Sequence, residues 1–222
     1  MAHDMRHISD GPPEMELLRR VRAYMNAYQP RPRASYGRNS IDLAPLFEHI
    51  LRDSGETEPK DIGEAMRHHL SGKRVFELGC REGSALAFLR DHGAIVAGSG
   101  PSPAARTLLG NDALLVDGPI ENMGDSEQLK RFNPDIVISS NHFDEGRFYS
   151  GTPVNFEGAI DSFAKITQHG ASVYVQPTCV NESLLGPHHF ELMAKRGMAI
   201  SHSDSKRPEY VRTFKLSRPH HK

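Results

Sequence analysis

The chain has 222 residues, 37% of them hydrophobic, and its 27 Lys and Arg against 28 Asp and Glu give a formal net charge of -1. That length suits one α/β domain with added elements, and the near-neutral balance excludes a global pull toward nucleic acid or an anionic membrane surface. Two cysteines, Cys80 and Cys179, make no disulfide framework, and no apolar run approaches the ~18 residues that span a bilayer. The expectation is a soluble cytoplasmic protein with neither a membrane nor a nucleic acid as partner.

Residues 1–13 are polar and end in Gly11-Pro12-Pro13, a loose start. Met15 to Tyr28 places Met15, Leu18, Val21 and Met25 at helical spacing, and Pro30 and Pro32 end that helix. Arg31, Arg33 and Arg38 form a small basic stretch, read either as a solvated linker or as a local anion contact. Ser40 reads as the N-cap of a helix over Ile41 to Arg52, and Ile62 to Leu70 as a third short helix.

From Lys73 the pattern changes. Arg74 to Leu78, Ala94 to Ala97, Ala113 to Val116, Asp135 to Ser139 and Ser172 to Val175 read as buried strands. Helices are expected over Ser84 to His92, Ser102 to about Leu109, Asp125 to Phe132, Phe156 to Gln168 and His188 to Arg196. Met198 to Ser201 and Val211 to Leu216 complete the set as an antiparallel pair. This alternation implies a mostly parallel sheet with right-handed crossovers. The chain therefore divides into an amino-terminal tail and helical extension, residues 1–72, and an α/β domain, residues 73–222.

In such sheets ligands bind outside the carboxyl ends of the strands, where strand order reverses. The turn after the first strand, Glu77-Leu78-Gly79-Cys80-Arg81-Glu82-Gly83-Ser84, is the place to look. Gly79 permits a sharp turn, Gly83 a close approach, and the helix from Ser84 offers unpaired N–H groups.

This loop resembles the cofactor motif of class I S-adenosylmethionine (SAM) methyltransferases, which reads acidic, any, Gly, any, Gly, any, Gly. Glu77, Gly79 and Gly83 match it, and "PDIVIS" and "AKITQHGASVYV" resemble the family's fourth strand and its fifth helix and strand. The resemblance implies a Rossmann-like sheet of about seven strands with helices on both faces and the last strand antiparallel. It also implies SAM as cofactor, held by Glu77, Gly79, Cys80, Arg81, Gly83, Gly100, Ser102, Asp117, Ile120 and Ser139.

Three positions depart from the pattern. Arg81 stands at the middle glycine. Gly100 stands where the family ends its second strand with a ribose-binding acid. Pro119 stands where an Asp meets the adenine amino group, with Asp117 two residues away. Three outcomes are open: SAM binds with rearranged contacts, another ligand such as a phosphate or carboxylate binds near Arg81 and Gly98-Ser99-Gly100, or the pocket is vestigial.

After the fourth strand, Ser139 to Glu145 lies on the rim that the resemblance assigns to substrate. His142 is the candidate general base, with Asp144 or Glu145 as its orienting partner; the alternative is a polar loop. His188 and His189, with Cys179 and Glu191 nearby, and His68-His69 lack metal-ligand spacing, so no metal site is expected. Tyr24, Tyr28 and Tyr36 lie in the extension, which is a candidate lid or plain helix packing. The leading expectation is a SAM-dependent methyltransferase acting on a small molecule. The alternative is a protein of that fold that transfers no methyl, with another ligand or a scaffold role.

Overall fold

Short apolar runs bounded by Gly and Pro become the strands of one seven-stranded sheet. A computed structural model describes residues 15–36, 39–140, 155–168, 170–176, 187–202 and 213–218. The extension contains α1 (Glu16–Ala27), a hairpin of β1 (Arg33–Tyr36) and β2 (Asn39–Asp42), α2 (Ala44–Asp53) and α3 (Ile62–Leu70). There follow β3 (Arg74–Leu78), α4 (Ser84–Asp91), β4 (Ile95–Ser99), α5 (Pro103–Leu109) and β5 (Ala113–Val116). A 3₁₀ segment (Ile120–Asp125) leads to α6 (Glu127–Phe132), β6 (Ile136–Ser140), α7 (Phe156–Gln168) and β7 (Ser172–Gln176). The last elements are α8 (Pro187–Lys195), β8 (Ala199–His202) and β9 (Phe214–Ser217).

The strand order is β5-β4-β3-β6-β7-β9-β8. Strands β3 to β7 are parallel to one another, and β9 runs antiparallel to both β7 and β8. Chain order runs outward from β3 toward β5 on one side and from β6 toward β7 on the other. The reversal falls between β3 and β6, so their carboxyl ends flank the crevice in which such sheets bind ligands.

Period-two alternation sorts the central strands between two cores. Val75, Ile136, Ile138 and Tyr174 face one layer, with Phe47 of α2 and Leu86 and Phe88 of α4. Phe76, Leu78, Val137, Val173 and Val175 face the other, with Ile160 and Phe163 of α7. Phe47, Phe76, Phe88 and Phe163 are fully buried, each worth roughly 1.5–3 kcal/mol relative to exposure.

The extension packs on the first layer. The rings of Tyr24 and Tyr28 lie edge-on to Phe88, at 6.2 and 5.0 Å between centroids. The buried His92 ring hydrogen-bonds the Phe88 carbonyl through Nδ1 at 2.6 Å. A carbonyl only accepts, so Nδ1 carries the proton and Nε2 accepts from the Tyr24 hydroxyl at 2.8 Å.

The second helix starts later than the sequence pattern predicts. Ser40 is not an N-cap: Ser40 and Ile41 lie in β2, opposite Ser35 and Ala34. Asp42 takes the capping role, its Oδ1 accepting the Ala44 N–H at 3.1 Å. Pro45 fits the first turn, where no backbone donor is required.

Candidate cofactor site

The β3–α4 loop folds through three left-handed residues, Gly79 (φ 70°), Arg81 (φ 43°) and Gly83 (φ 75°). Backbone bonds hold it against β4. The Gly79 N–H donates to Ser99 Oγ at 3.1 Å, the Cys80 N–H to the Ser99 carbonyl at 2.8 Å, and the Ser102 N–H to the Arg81 carbonyl at 2.7 Å. The Gly83 N–H donates to the Cys80 carbonyl at 2.7 Å and closes the turn. A Cβ on Gly83 would lie 2.9 Å from Leu109 Cδ1, so the start of α4 needs glycine to sit against α5.

Glu77 is the one carboxylate buried at this end of the sheet among the described residues, at 2% exposure. Its Oε2 has no hydrogen-bond partner. Burial pushes its carboxyl up to about 8, since removal from water penalises the charged form. Cys80 points inward: a Cβ on Gly98 would lie 2.8 Å from Cys80 Cβ and Sγ and 2.7 Å from Leu86 Cδ1. Burial raises the Cys80 thiol pKa, and the Glu77 charge adds to this. The Cys80 side chain therefore fills the space that Gly98 leaves, and its backbone N–H and carbonyl are both engaged within the loop.

The rim on the β4–β5 side is built differently. Gly100 is left-handed (φ 61°), and a Cβ there would lie 3.8 Å from Gly79 Cα, so two bare backbones lie side by side. The Ser102 hydroxyl caps α5, accepting the Ala105 N–H at 3.3 Å. Asp117 is exposed and bidentate with Arg106, at 3.0 and 3.2 Å. Ile120 follows Pro119 and packs half-buried on the second core. Ser139 is fully buried, and Ser140 next to it is nearly so.

His142, Asp144 and Glu145 lie outside the described residues, as do Cys179 and Arg38. His188 and His189 open α8 with rings 5.7 Å apart. Among the described residues no group of three His, Cys, Asp or Glu could hold a metal ion. Arg31 helps line a cavity of about 370 Å³ with Gln29, Glu82, Ser84, Ala104 and Leu108, next to the end of the loop.

Two residues, Gln176 and Asp42, escaped the sequence pattern, and a third, Ser99, is read there only as part of a possible anion-binding turn. Ser99 anchors the loop by both its hydroxyl and its carbonyl. Gln176 ends β7 buried at 3% exposure, its Nε2 donating to the Asp42 carbonyl at 2.7 Å and its Oε1 without a partner. A polar residue closing an apolar strand was the only visible signal for Ser99 and Gln176, and Asp42 gave none.

No family model matches the chain, and no curated sequence matches it. Solved structures do. The chain is similar to a TehB-like SAM-dependent methyltransferase from Corynebacterium glutamicum, with TM-score 0.52 and 15% identity over 78% of this chain and 96% of that one. The fold is that of the class I SAM-dependent methyltransferases. The magnesium protoporphyrin IX methyltransferase of Synechocystis with bound SAM matches at TM-score 0.48 and 14% identity, over 94% of this chain and 99% of that one. DesVI of Streptomyces venezuelae matches at TM-score 0.48 and 17% identity, over 81% and 100%.

In this loop Arg81 is left-handed beside Gly79 and Gly83. The residues fit SAM at its amino-acid end, where the orphaned Glu77 oxygen suits an ammonium and Gly79 and Gly100 add no side chain. At the ribose end no carboxylate stands on β4, and Asp117 is engaged by Arg106.

Proposed function

We propose that the protein is a SAM-dependent methyltransferase acting on a small molecule. The observation that carries this reading is Glu77, a buried carboxylate with an unpartnered oxygen at the strand-order reversal, beside the bare backbones of Gly79 and Gly100. An unmet buried acceptor costs about 1–3 kcal/mol, which a donor on a ligand would recover. The α-ammonium of SAM is such a donor. Gly79, Arg81 and Gly83 would follow the ligand with backbone, and the Asp117 to Ile120 segment would border its adenine end.

When bound, SAM supplies an electrophilic methyl group. The chain's part is then to orient the acceptor and, where the acceptor carries a proton, to receive it. We assign that base role to His142, with Asp144 orienting it, and a covering role over the pocket to the extension of residues 1–72. The near-neutral charge favours a small substrate over a nucleic acid, and the cytoplasm is the location we propose.

A second reading rests on the β4–β5 rim: with Gly100 at the strand end and Asp117 paired to Arg106, the domain serves a different ligand and transfers no methyl. Calorimetric titration with SAM and S-adenosylhomocysteine at pH 8 separates the two. The first reading expects saturable heat with either ligand. Absence of both heat and thermal shift at millimolar ligand would sink it.

A further inference from the structure

We propose that Gln176 is the recognition point for the methyl acceptor, and that the acceptor presents an N–H or O–H to it. This rests on the methyltransferase reading above. Alternation along the strands puts Glu77, Ser140 and Gln176 on the same face of the sheet at its carboxyl end. Ile138 and Tyr174, two residues before Ser140 and Gln176, share the core of Val75, and Glu77 is two residues beyond Val75. Ser140 and Gln176 are register partners. Glu77 and Gln176 are two strands apart, about 10 Å across the sheet. If Glu77 takes the ammonium end of the cofactor, the acceptor approaches from the β6–β7 side, where Gln176 stands.

The chemistry follows from how Gln176 is held. Its amide nitrogen donates to the Asp42 carbonyl at 2.7 Å. A carbonyl cannot donate, so this contact fixes which end of the amide is which. Oε1 is left as a pure acceptor, buried and unpartnered. Such an atom is matched by an amine, amide or hydroxyl hydrogen, and it repels a carboxylate. Holding the hydrogen also fixes the direction of the lone pair on the atom that bears it.

The clamp comes from the extension. Asp42 ends β2, its Oδ1 accepts the Ala44 N–H, and its Oδ2 accepts from Arg22 Nε of α1 at 2.6 Å. Arg22 and Asp42 are thus positioning residues that act through Gln176. The amino-terminal extension completes the acceptor side of the site rather than merely covering it.

The test uses the full chain at pH 8 and matched probe pairs that differ only in the donor: phenol with anisole, and aniline with N,N-dimethylaniline, with benzoate as the anion. Each is added at about 10 mM, with and without S-adenosylhomocysteine, and thermal stability is read. The donors are expected to raise Tm by about 3 °C in the wild type, and anisole, dimethylaniline and benzoate by much less. In Gln176→Met the donor-specific increment should vanish. As a readout independent of that variant's folding, the donors alone should shift the Gln176 side-chain amide resonances of ¹⁵N-labelled wild-type protein.

Equal effects within each pair, no effect of either donor, or donor increments that survive in Gln176→Met would each overturn the proposal. Stabilisation by S-adenosylhomocysteine is read separately. If it is absent while the donor-specific shift persists, the cofactor reading fails and the Gln176 site stands. If it is present without donor selectivity, the reverse holds.

Discussion

The two halves of the candidate pocket differ in what they present. On the β3 side the loop holds its left-handed turns, its anchors on Ser99 and a buried acid with an open oxygen. On the β4–β5 side the strand ends in Gly100, and the nearby carboxylate of Asp117 is shared with Arg106 in solvent. The difference teaches that the backbone shape of the loop and the charges around it rest on separate interactions. Hydrogen bonds and glycine contacts within the fold hold the loop, so its shape does not depend on a side chain of the β4–β5 rim other than the Ser99 hydroxyl.

The sharpest break of that contrast lies at Glu77. Glu77→Gln keeps the shape and removes the charge. Calorimetry should show SAM binding weakened by roughly tenfold to a hundredfold, the value of a charge-assisted bond of about 1.5–3 kcal/mol. Asp117→Ala should change it by less than about threefold, because an exposed ion pair contributes little. Equal losses would erase the distinction between the halves.

The same carboxyl sets the pH dependence. Burial lifts Glu77 from 4.5 to about 8, so the folded chain keeps a proton that the unfolded chain has lost. The stability conferred by that proton is complete below about pH 4.5 and is lost as pH rises through about 8, at ~1.4 kcal/mol per unit within the window. Chemical denaturation across this range should show the decline, and Glu77→Gln should flatten it. Binding runs the other way. An ammonium needs the ionised acid, so affinity should fall by about tenfold per unit below pH 8, with proton release visible in buffers of different ionisation enthalpy. A pH-independent affinity would remove Glu77 from the ligand.

A gain on the poorer side would sharpen the comparison. Gly100 is left-handed, a conformation that Asp tolerates better than most residues, and a Cβ there has no neighbour nearer than Gly79 Cα at 3.8 Å. Gly100→Asp should tighten SAM binding by up to about tenfold if a ribose lies there. No gain, with the fold intact, would favour the second reading.

The β-α alternation was legible because apolar runs of four or five residues between Gly and Pro have few other uses. The hairpin of β1 and β2 was not: Arg33–Tyr36 and Asn39–Asp42 are short and largely polar, and their pairing answers to tertiary context. At the site, the left-handed turns were readable from Gly79 and Gly83, since the residue type reports the backbone. Gln176 was unreadable because its role depends on a carbonyl 134 residues away. The anchoring role of Ser99 was unreadable for a similar reason, its hydroxyl meeting Gly79 across a strand gap.

The smallest effect tests whether the loop's shape is independent of its occupant. Arg81 holds φ 43° with an L side chain, and the left-handed region costs such a residue roughly 1–2 kcal/mol. Arg81→Gly relieves that strain but gives the unfolded chain more freedom, which removes about 0.4–1 kcal/mol. It also deletes whatever the guanidinium touches. Arg81→Ala deletes the same contacts and keeps the strain. The Gly variant should therefore exceed the Ala variant in stability by about 0.5–1 kcal/mol, a Tm difference of roughly 1–4 °C for a chain of this length. If the two are equal, the turn relaxes when the side chain goes, and the loop's shape belongs to Arg81 rather than to the Ser99 and Ser102 backbone bonds that hold it.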